Sequence, residues 1–227
     1  MKKVSAIVCA FNEEGTLENV LRSVSESPLI NETIVINDGS VDQTANIIDR
    51  LKQTIEIEAI HFKKNKGKGF AMASGVEKAT GDIIVFIDAD MVNLTEEHFS
   101  QLLTPILNKE ADMVLGQPSE TLINYNVNPF KSFTGQRAVL KEDIFIIIEK
   151  IKYSRFGVET LVNLFYQSEG KKVKNVMLRG LIHPTKFDKT SSTQAIKEYV
   201  KEGHQIALTA FKNFDLITSS IKNRFKI

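Results

Sequence analysis

The sequence lacks the features of an extracellular, nucleic-acid-binding or membrane-spanning protein. Its 227 residues include one cysteine, Cys9, so no disulfide can form within the chain, and a reducing compartment is the simplest expectation. The formal net charge of +1 provides no cationic excess for a nucleic-acid partner. No apolar run approaches the roughly 18 residues of a membrane-spanning helix. We therefore expect a cytoplasmic protein, either free or peripheral on the inner face of the membrane.

Length and composition indicate an ordinary globular chain. Hydrophobic residues make up 42% of it and charged residues 25%, and a chain of 227 residues can bury a full core. The regular pattern of the sequence changes at about residue 117. We expect one domain over residues 1–190, with a first half at 1–117 and a second half at 118–190, followed by a helical extension at 191–227.

The first half alternates short apolar runs with segments of helical spacing. The apolar and alternating runs, which are typical of strands, are residues 4–10, 32–37, 55–62, 82–87 and 111–115. The segments with helical character are residues 15–25, 42–52, 67–79 and 95–107. This alternation predicts an α/β fold with a mainly parallel central sheet and helices on both faces.

The second half has a weaker pattern. Residues 120–134 are polar and contain Pro129, which predicts a loop. The helical segments that we expect are residues 136–151, 156–168 and 192–227, the last with a break near Gly203, and residues 172–178 form one more predicted strand.

Three of the predicted strands end in polar residues. The three groups are Ala10-Phe11-Asn12-Glu13, Asn37-Asp38-Gly39-Ser40 and Asp88-Ala89-Asp90. In open α/β sheets, ligands bind beyond the carboxyl ends of the strands. Each group alone could be a helix cap or a turn, because Asp, Asn and Ser favour both places. The three groups together favour a shared ligand site.

Asp88 and Asp90 are candidate metal-binding residues. Carboxylate oxygens are the ligands that Mg²⁺ and Mn²⁺ prefer. Since successive side chains diverge, one carboxylate could coordinate the ion while the other holds a ribose hydroxyl or a metal-bound water. The D-x-D pattern is common by chance, but here it closes the clearest strand of the chain.

A turn rich in glycine and lysine precedes a predicted helix at residues 64–69. Its backbone amides and ammonium groups are suited to an anion such as a phosphate. It lacks the spacing of a nucleoside-triphosphatase loop, so that class is not indicated. The alternative is a solvated basic turn.

These motifs, taken in order, resemble the signature series of family 2 glycosyltransferases. The matching segments are residues 4–13, 35–42, 65–69, 81–82 and 88–90. The resemblance covers about the first half of the chain and implies the GT-A fold and a nucleotide-sugar donor. One departure is Asn37, where many family members have a second aspartate.

The resemblance also implies roles for residues of the first half. Ala10, Phe11, Asn12 and Glu13 would line the nucleoside pocket, with Glu13 toward the ribose. Asp38 would accept a hydrogen bond from uracil or guanine, and Gly67 and Lys68 would lie beside the base and ribose. Asp88 and Ala89 would lie near the ribose, and Asp90 would coordinate the Mn²⁺ or Mg²⁺ that bridges the diphosphate.

In the second half, Gly135-Gln136-Arg137 and Phe156-Gly157-Val158-Glu159-Thr160 are similar to the acceptor-side segments of glucosyl-3-phosphoglycerate synthases and related enzymes. The resemblance thus implies a nucleotide-sugar-binding half at residues 1–117 and an acceptor half at residues 118–190. The resemblance implies that Gly135 lies under the donor sugar and that Glu159 lies near the sugar hydroxyls. His183 follows a strand-like run, where several GT-A enzymes supply a late metal ligand. A capped or solvated side chain is the alternative for this histidine.

Two candidate catalytic residues keep more than one interpretation. Glu159 could be a general base in an inverting enzyme, or a hydrogen-bond partner of the donor sugar in a retaining enzyme. Arg137 could contact the sugar or an anionic acceptor, or could only pair with Glu142 or Asp143 on a shared helix.

The expected reaction is sugar transfer from a UDP-sugar or GDP-sugar to a hydroxyl or phosphate of an unknown acceptor. A loop at residues 119–133 could close over the donor and exclude water. The first alternative is a nucleotidyltransferase, but the acidic residues after the first strand do not fit its basic glycine-rich loop. The second alternative is a non-catalytic protein that binds nucleotide sugars.

The segment at residues 196–227 has apolar residues at helical spacing and ends in Lys222, Arg224 and Lys226. It could lie on an anionic membrane and bring the site to a lipid-linked acceptor. Packing of a helix pair on the core is the favoured alternative.

Overall fold

The computed structural model describes residues 2–120, 134–154, 157–183 and 203–225. The predicted loop that would close over the donor lies almost wholly outside these residues. Phe156 and residues 192–202 of the predicted carboxyl-terminal helix also lie outside them.

One seven-stranded sheet forms the centre of the molecule. Its strands are β1 (Val4–Ala10), β2 (Glu32–Asn37), β3 (Glu58–His61), β4 (Ile83–Asp88), β5 (Met113–Glu120), β6 (Arg137–Leu140) and β7 (Val173–Ile182). They lie in the order β3-β2-β1-β4-β6-β5-β7. All neighbours are parallel except at β6, which is antiparallel to both β4 and β5. The mainly parallel sheet predicted from the sequence is confirmed.

Helices cover both faces of this sheet. They are α1 (Leu17–Ser25), α2 (Thr44–Leu51), α3 (Lys68–Lys78), α4 (Glu96–Leu107), α5 (Lys141–Phe145), α6 (Ile148–Lys152), α7 (Val158–Ser168) and α8 (Phe214–Phe225). The buried apolar residues of α1, α2 and α4 form one core, and those of α3 and α5 to α7 form the other. The strands separate the two cores because their side chains alternate: Val85 joins the first core, and Ile84 and Phe86 join the second.

The prediction of one helix over residues 136–151 is wrong at its start. The first residues form the short strand β6, in which Ala138 packs into one core and Val139 into the other. Two short helices, α5 and α6, follow. The apolar run from Ile144 to Ile148 dominates the sequence pattern here, and the strand pairing of β6 depends on distant partners that local spacing does not show.

The carboxyl-terminal helix packs on α7. Residues 203–212 are helical, and the chain turns at Asn213 before α8. The residues just before Gly203 lie outside the described part of the chain, so the break predicted near Gly203 stays a prediction. Leu216 packs against the second core, and the Asn223 amide donates to the carbonyl of Ser168. One face of this segment is thus buried on the domain. Within the described residues, no helix has the length and apolar character needed to cross a membrane.

Candidate active site

The carboxyl ends of β1, β2 and β4 meet at one edge of the sheet. Ala10 is paired with Asn37, and Cys9 with Asp88, so the three polar groups that follow these strands are neighbours. The Asp38 amide donates to the carbonyl of Ala10 at 2.8 Å. The three polar groups that the sequence places at strand ends therefore lie together.

Hydrogen bonds join the segment after β1 to the segment after β2. The Asn12 amide donates to Ser40 Oγ at 3.0 Å, and Asn12 Oδ1 accepts from the amide of Val41 at 2.9 Å. The Glu13 amide donates to Thr44 Oγ1 at 2.9 Å. The two segments form one wall, on which the Phe11 side chain remains 44% exposed. An exposed ring beside polar groups offers a stacking surface for a base.

Asp38 holds the turn that precedes α3. Its two carboxylate oxygens accept the backbone N–H groups of Lys66 at 2.7 Å and Gly67 at 2.9 Å. Asp38 is 4% exposed, and burial raises the pKa of its carboxyl group despite these two bonds. Gly39 lets the backbone after Asp38 approach this turn closely, because a Cβ there would lie 2.5 Å from the carbonyl carbon of Lys64.

Two backbone amides of the expected phosphate cradle are therefore already occupied. The two amides face an anion, but that anion is the carboxylate of Asp38. The Lys66 ammonium lies 4.2 Å from the ring centroid of Phe70 and 4.8 Å from that of Phe62.

Lys68 connects two carboxylates in the centre of the site. Its ammonium group lies 2.8 Å from Asp88 Oδ1 and 2.7 Å from Glu159 Oε1. Burial alone would lower the pKa of Lys68, but the two carboxylates outweigh burial and raise it. Lys68 is thus a permanent cation that ties β4 to the first turn of α7.

A residue that the site prediction omitted, Gln136, holds the other side of Asp88. Its Nε2 donates to Asp88 Oδ2 at 2.9 Å, and its Oε1 accepts the Asp88 amide at 3.3 Å. Gly135 packs directly against this carboxylate, since a Cβ there would lie 2.1 Å from Asp88 Oδ2. Both oxygens of Asp88 are therefore engaged, and Gly135 lies beneath Asp88.

Arg137 lies in β6 and not on a helix with Glu142 and Asp143, which corrects the sequence interpretation. Its side chain is 0% exposed and donates to Asn163 Oδ1 at 3.4 Å and to the carbonyl of Thr134. Asp143 pairs instead with Lys171 at 2.8 Å. Burial lowers the pKa of Arg137, while the charges of Glu159 and Asp88 oppose that shift. In this conformation Arg137 lies beneath the site and has no surface for a substrate.

The turn at residues 88–90 is fixed by its neighbours. Thr16 Oγ1 donates to the carbonyl of Ala89 at 2.9 Å, and the Ala89 side chain is buried in the first core. Any contact of Ala89 with a donor would have to come from its backbone. Thr16, at the start of α1, is a second residue that the site prediction missed.

Asp90 and His183 approach each other across a long sequence interval. His183 Nε2 lies 3.2 Å from Asp90 Oδ2, and one ligand atom from each of Asp88, Asp90 and His183 fits within 4.8 Å. Val92 and Ile182 exchange two backbone hydrogen bonds of 3.0 Å, which bring the end of β7 to this turn. Burial would lower the pKa of His183, but the hydrogen bond to Asp90 and its charge raise it.

The geometry unites most of the predicted site residues. Six charged or titratable side chains from both halves lie at one sheet edge: Asp38, Lys68, Asp88, Asp90, Glu159 and His183. The two carboxylates suit Mn²⁺ or Mg²⁺, and the imidazole offers a third ligand atom. Gln136 belongs to the segment Gly135-Gln136-Arg137 singled out by resemblance, but local spacing does not show its contact with Asp88, which spans 48 residues.

Solved structures of glucosyl-3-phosphoglycerate synthase from Mycobacterium tuberculosis share this fold. One contains Mn²⁺, uridine diphosphate and glucosyl-3-phosphoglycerate; it has a TM-score of 0.73 and 20% identity, over 93% of this chain and 79% of that one. Another, with Mg²⁺ and uridine diphosphate, has a TM-score of 0.65 and 21% identity, over 88% of this chain and 79% of that one.

Two curated proteins match part of the chain by sequence. Glucosyl-3-phosphoglycerate synthase of M. tuberculosis (strain CDC 1551 / Oshkosh) is 32% identical over 119 residues, which cover 48% of this chain and 35% of that protein. Poly-beta-1,6-N-acetyl-D-glucosamine synthase of Staphylococcus epidermidis is 32% identical over 117 residues, which cover 51% of this chain and 28% of that protein. The matches thus span about a third of the length of these relatives. The sequence model of glycosyl transferase family 2 matches residues 5–168, and the chain belongs to this family.

Proposed function

We propose that the protein is a metal-dependent glycosyltransferase that moves a sugar from a UDP-sugar or GDP-sugar to an acceptor hydroxyl or phosphate. The observation that carries this proposal is the group of Asp88, Asp90 and His183, whose ligand atoms lie within 4.8 Å of one another. This group stands at the same sheet edge as the wall that carries Phe11 and Asp38. A metal site beside a nucleoside-sized wall is what a nucleoside diphosphate donor requires.

The nucleoside would bind along the wall formed by the segments after β1 and β2. Phe11 offers its exposed ring to the base, while Asn12 and Glu13 belong to the same segment. Asp38 already accepts two amides, but each carboxylate oxygen has a second lone pair for a base N–H. Uracil and guanine both have such ring N–H groups.

Asp90 and His183 would be the direct protein ligands of Mn²⁺ or Mg²⁺. Asp88 suits a supporting role, toward the ribose or a metal-bound water, because Lys68 and Gln136 engage both of its oxygens. When bound, the metal would neutralise charge on the departing diphosphate. Lys68 would add a fixed positive charge beside it. The M. tuberculosis synthase binds Mn²⁺ with uridine diphosphate in its crystal structure.

Glu159 would act on the donor side as a hydrogen-bond partner of the sugar. Its Oε1 accepts from the same ammonium that contacts Asp88, so the carboxylate points toward the donor site. The Lys68 ammonium already occupies Oε1 of Glu159, so that oxygen is engaged on the donor side, which disfavours a role as general base toward the acceptor. Retention of the anomeric configuration is then expected, and NMR of the first product formed distinguishes it from inversion.

The alternatives differ in the residues expected after β1 and in turnover. A nucleotidyltransferase would bring basic, glycine-rich sequence to this edge, whereas the wall here contains Phe11, Asn12 and Glu13. A non-catalytic protein would bind nucleotide sugars without consuming them. The paired Lys68 and Glu159 beside the metal group favour an enzyme.

Hydrolysis of a panel of nucleotide sugars, with and without Mn²⁺, tests the proposal. We expect metal-dependent release of UDP or GDP from at least one donor. Calorimetric titration with UDP and GDP in the presence of Mn²⁺ gives an independent measure. No metal-dependent nucleotide binding would exclude the proposal, and binding without hydrolysis or transfer would support the non-catalytic alternative.

We also propose that residues 1–190 are one catalytic domain. We further propose that the extension at 191–227 presents an apolar stripe to an anionic membrane. The described helices expose Leu208, Phe211, Phe214 and Ile221 by 42%, 79%, 62% and 51%. Basic residues predominate near the end of the chain, which suits an anionic surface. Flotation with phosphatidylglycerol vesicles should retain the protein, and Phe211→Asp should release it. Dimerisation in solution without vesicle binding would refute membrane contact.

A further inference from the structure

The carboxylate of Asp88 is enclosed on three sides. Lys68 contacts Oδ1 at 2.8 Å, the Gln136 amide contacts Oδ2 at 2.9 Å, and Gly135 leaves no room for a side chain beneath. Gln136 also accepts the backbone N–H of Asp88, so it grips both the side chain and the main chain. A free aspartate rotates about two bonds, whereas this one has a single orientation.

Gln136 is itself rigidly placed. It is 1% exposed, and its own carbonyl accepts the Gly116 amide at 2.9 Å, which fastens it to β5. The next residue, Arg137, is buried and bonded to the carbonyl of Thr134. The residue just before β6, held by its own carbonyl and by its buried neighbour, therefore presents one amide side chain to Asp88.

The neutral amide suits the charges around it. Asp88 and Glu159 carry two negative charges, and Lys68 and Arg137 carry two positive charges, so these four side chains balance without Gln136. A lysine in place of Gln136 would add an unbalanced cation, and a glutamate would repel Asp88. A glutamine can donate and accept at once with no change of charge.

We propose that Gln136 is a positioning residue that fixes the orientation of the Asp88 carboxylate for donor binding. It acts through Asp88 and does not touch the reacting atoms. This role rests on the proposed function, because the ligand that Asp88 serves is the nucleotide donor.

The test measures the dissociation constant of UDP in saturating Mn²⁺ for Gln136→Glu, alone and with Asp88→Asn. In the single variant the new carboxylate faces Asp88, and we expect affinity to fall about thirtyfold, within the range known for residues that orient metal-site ligands. In the double variant the amide introduced at position 88 can donate to the new carboxylate, which restores the bond with its polarity reversed. When Gln136→Glu is added to Asp88→Asn, the affinity for UDP should therefore fall by less than about threefold.

A purely structural role predicts a different pattern. Gln136→Glu would then lower UDP affinity by the same factor in the unaltered protein and in Asp88→Asn, and that result would overturn the proposal. Gln136→Met removes the donor to the Asp88 carboxylate and the acceptor of the Asp88 amide without adding charge, and about a tenfold loss of UDP affinity is expected at a temperature where the variant remains folded. Affinity equal to that of the unaltered protein would also overturn it.

Gln53→Glu makes the same chemical change at an exposed position and serves as the control. Its dissociation constant for UDP should not change. If the unaltered protein binds neither UDP nor GDP with Mn²⁺, the proposed function fails first. If it binds and the Gln136 variants bind equally well, the positioning role alone is wrong.

Discussion

The two halves of the chain reach the active site in different ways. Residues up to 117 contribute side chains at the ends of β1, β2 and β4, each placed by a strand and the helix that follows it. Residues from 134 onward contribute three separate side chains, and each contacts a charged side chain of the first half: Gln136 binds Asp88, Glu159 binds Lys68, and His183 binds Asp90.

This difference indicates that the two halves would have different roles in donor binding. Under the proposed function, the first half would present the groups that a nucleoside diphosphate needs, and the second half would set their orientation and complete the metal group. Changes in the first half should then abolish function, while changes in the second half should mainly alter affinity. His183 belongs to both categories, because it is a candidate ligand that enters from the second half.

The largest effect should come from Asp90→Ala. The change removes the direct carboxylate ligand, and we expect at least a thousandfold loss of metal-dependent donor hydrolysis, equivalent to about 4 kcal/mol. Hydrolysis assays over a range of Mn²⁺ concentrations measure it. Asp215→Ala, at an exposed position of α8, is the control. Unchanged activity would remove Asp90 from the metal site.

Lys68→Met should have the next largest effect, because Lys68 is the contact at which the two halves share a charge pair. Its removal leaves the carboxylates of Asp88 and Glu159 without their common cation. We expect donor affinity to fall about a hundredfold, in the range measured when one partner of a buried charge pair is truncated. Titration with UDP and Mn²⁺ gives the value, with Lys63→Met on the exposed turn as the control.

The sequence predicted the first half well because its signals are local. Each strand there is an apolar run that ends in a polar group, and parallel strands bring such ends to one edge. Asp88 and Asp38 could thus be placed together before any contact was known. The turn at residues 64–69 had a second interpretation that the sequence could not show, because a carboxylate of the protein and a phosphate are both suited to its amides.

The second half was harder because its contacts join residues far apart in the chain. Four residues of β6 pair with β4 and β5, and such a short strand leaves no periodic pattern beside the apolar helix that follows. Arg137 was placed on a helix for that reason. His183 was a sound candidate from its position after a strand, but the Val92–Ile182 pairing that brings it to Asp90 is not visible in local sequence.

Gly135→Ala sharpens the comparison, since it alters only the second half. The added methyl group would overlap Asp88 Oδ2, at 2.1 Å, so the carboxylate must move. We expect about a thirtyfold lower kcat/KM for the donor, because small displacements of positioned groups are costly. Gly203→Ala has open space around its Cβ and is the control. A normal kcat/KM would show that Asp88 does not need its present orientation.

The smallest effect concerns the pH dependence of metal binding through His183. Burial favours its neutral form, but the bond to Asp90 outweighs burial and raises its pKa. A metal needs the neutral imidazole, so protons compete with Mn²⁺ below that raised pKa. Affinity should fall as pH decreases through it, by up to tenfold per pH unit, and level off above it. His183→Ala should lower affinity about tenfold at high pH and flatten this profile. If Mn²⁺ affinity depends on pH just as steeply in His183→Ala, another group titrates, and the metal ligands are first-half carboxylates.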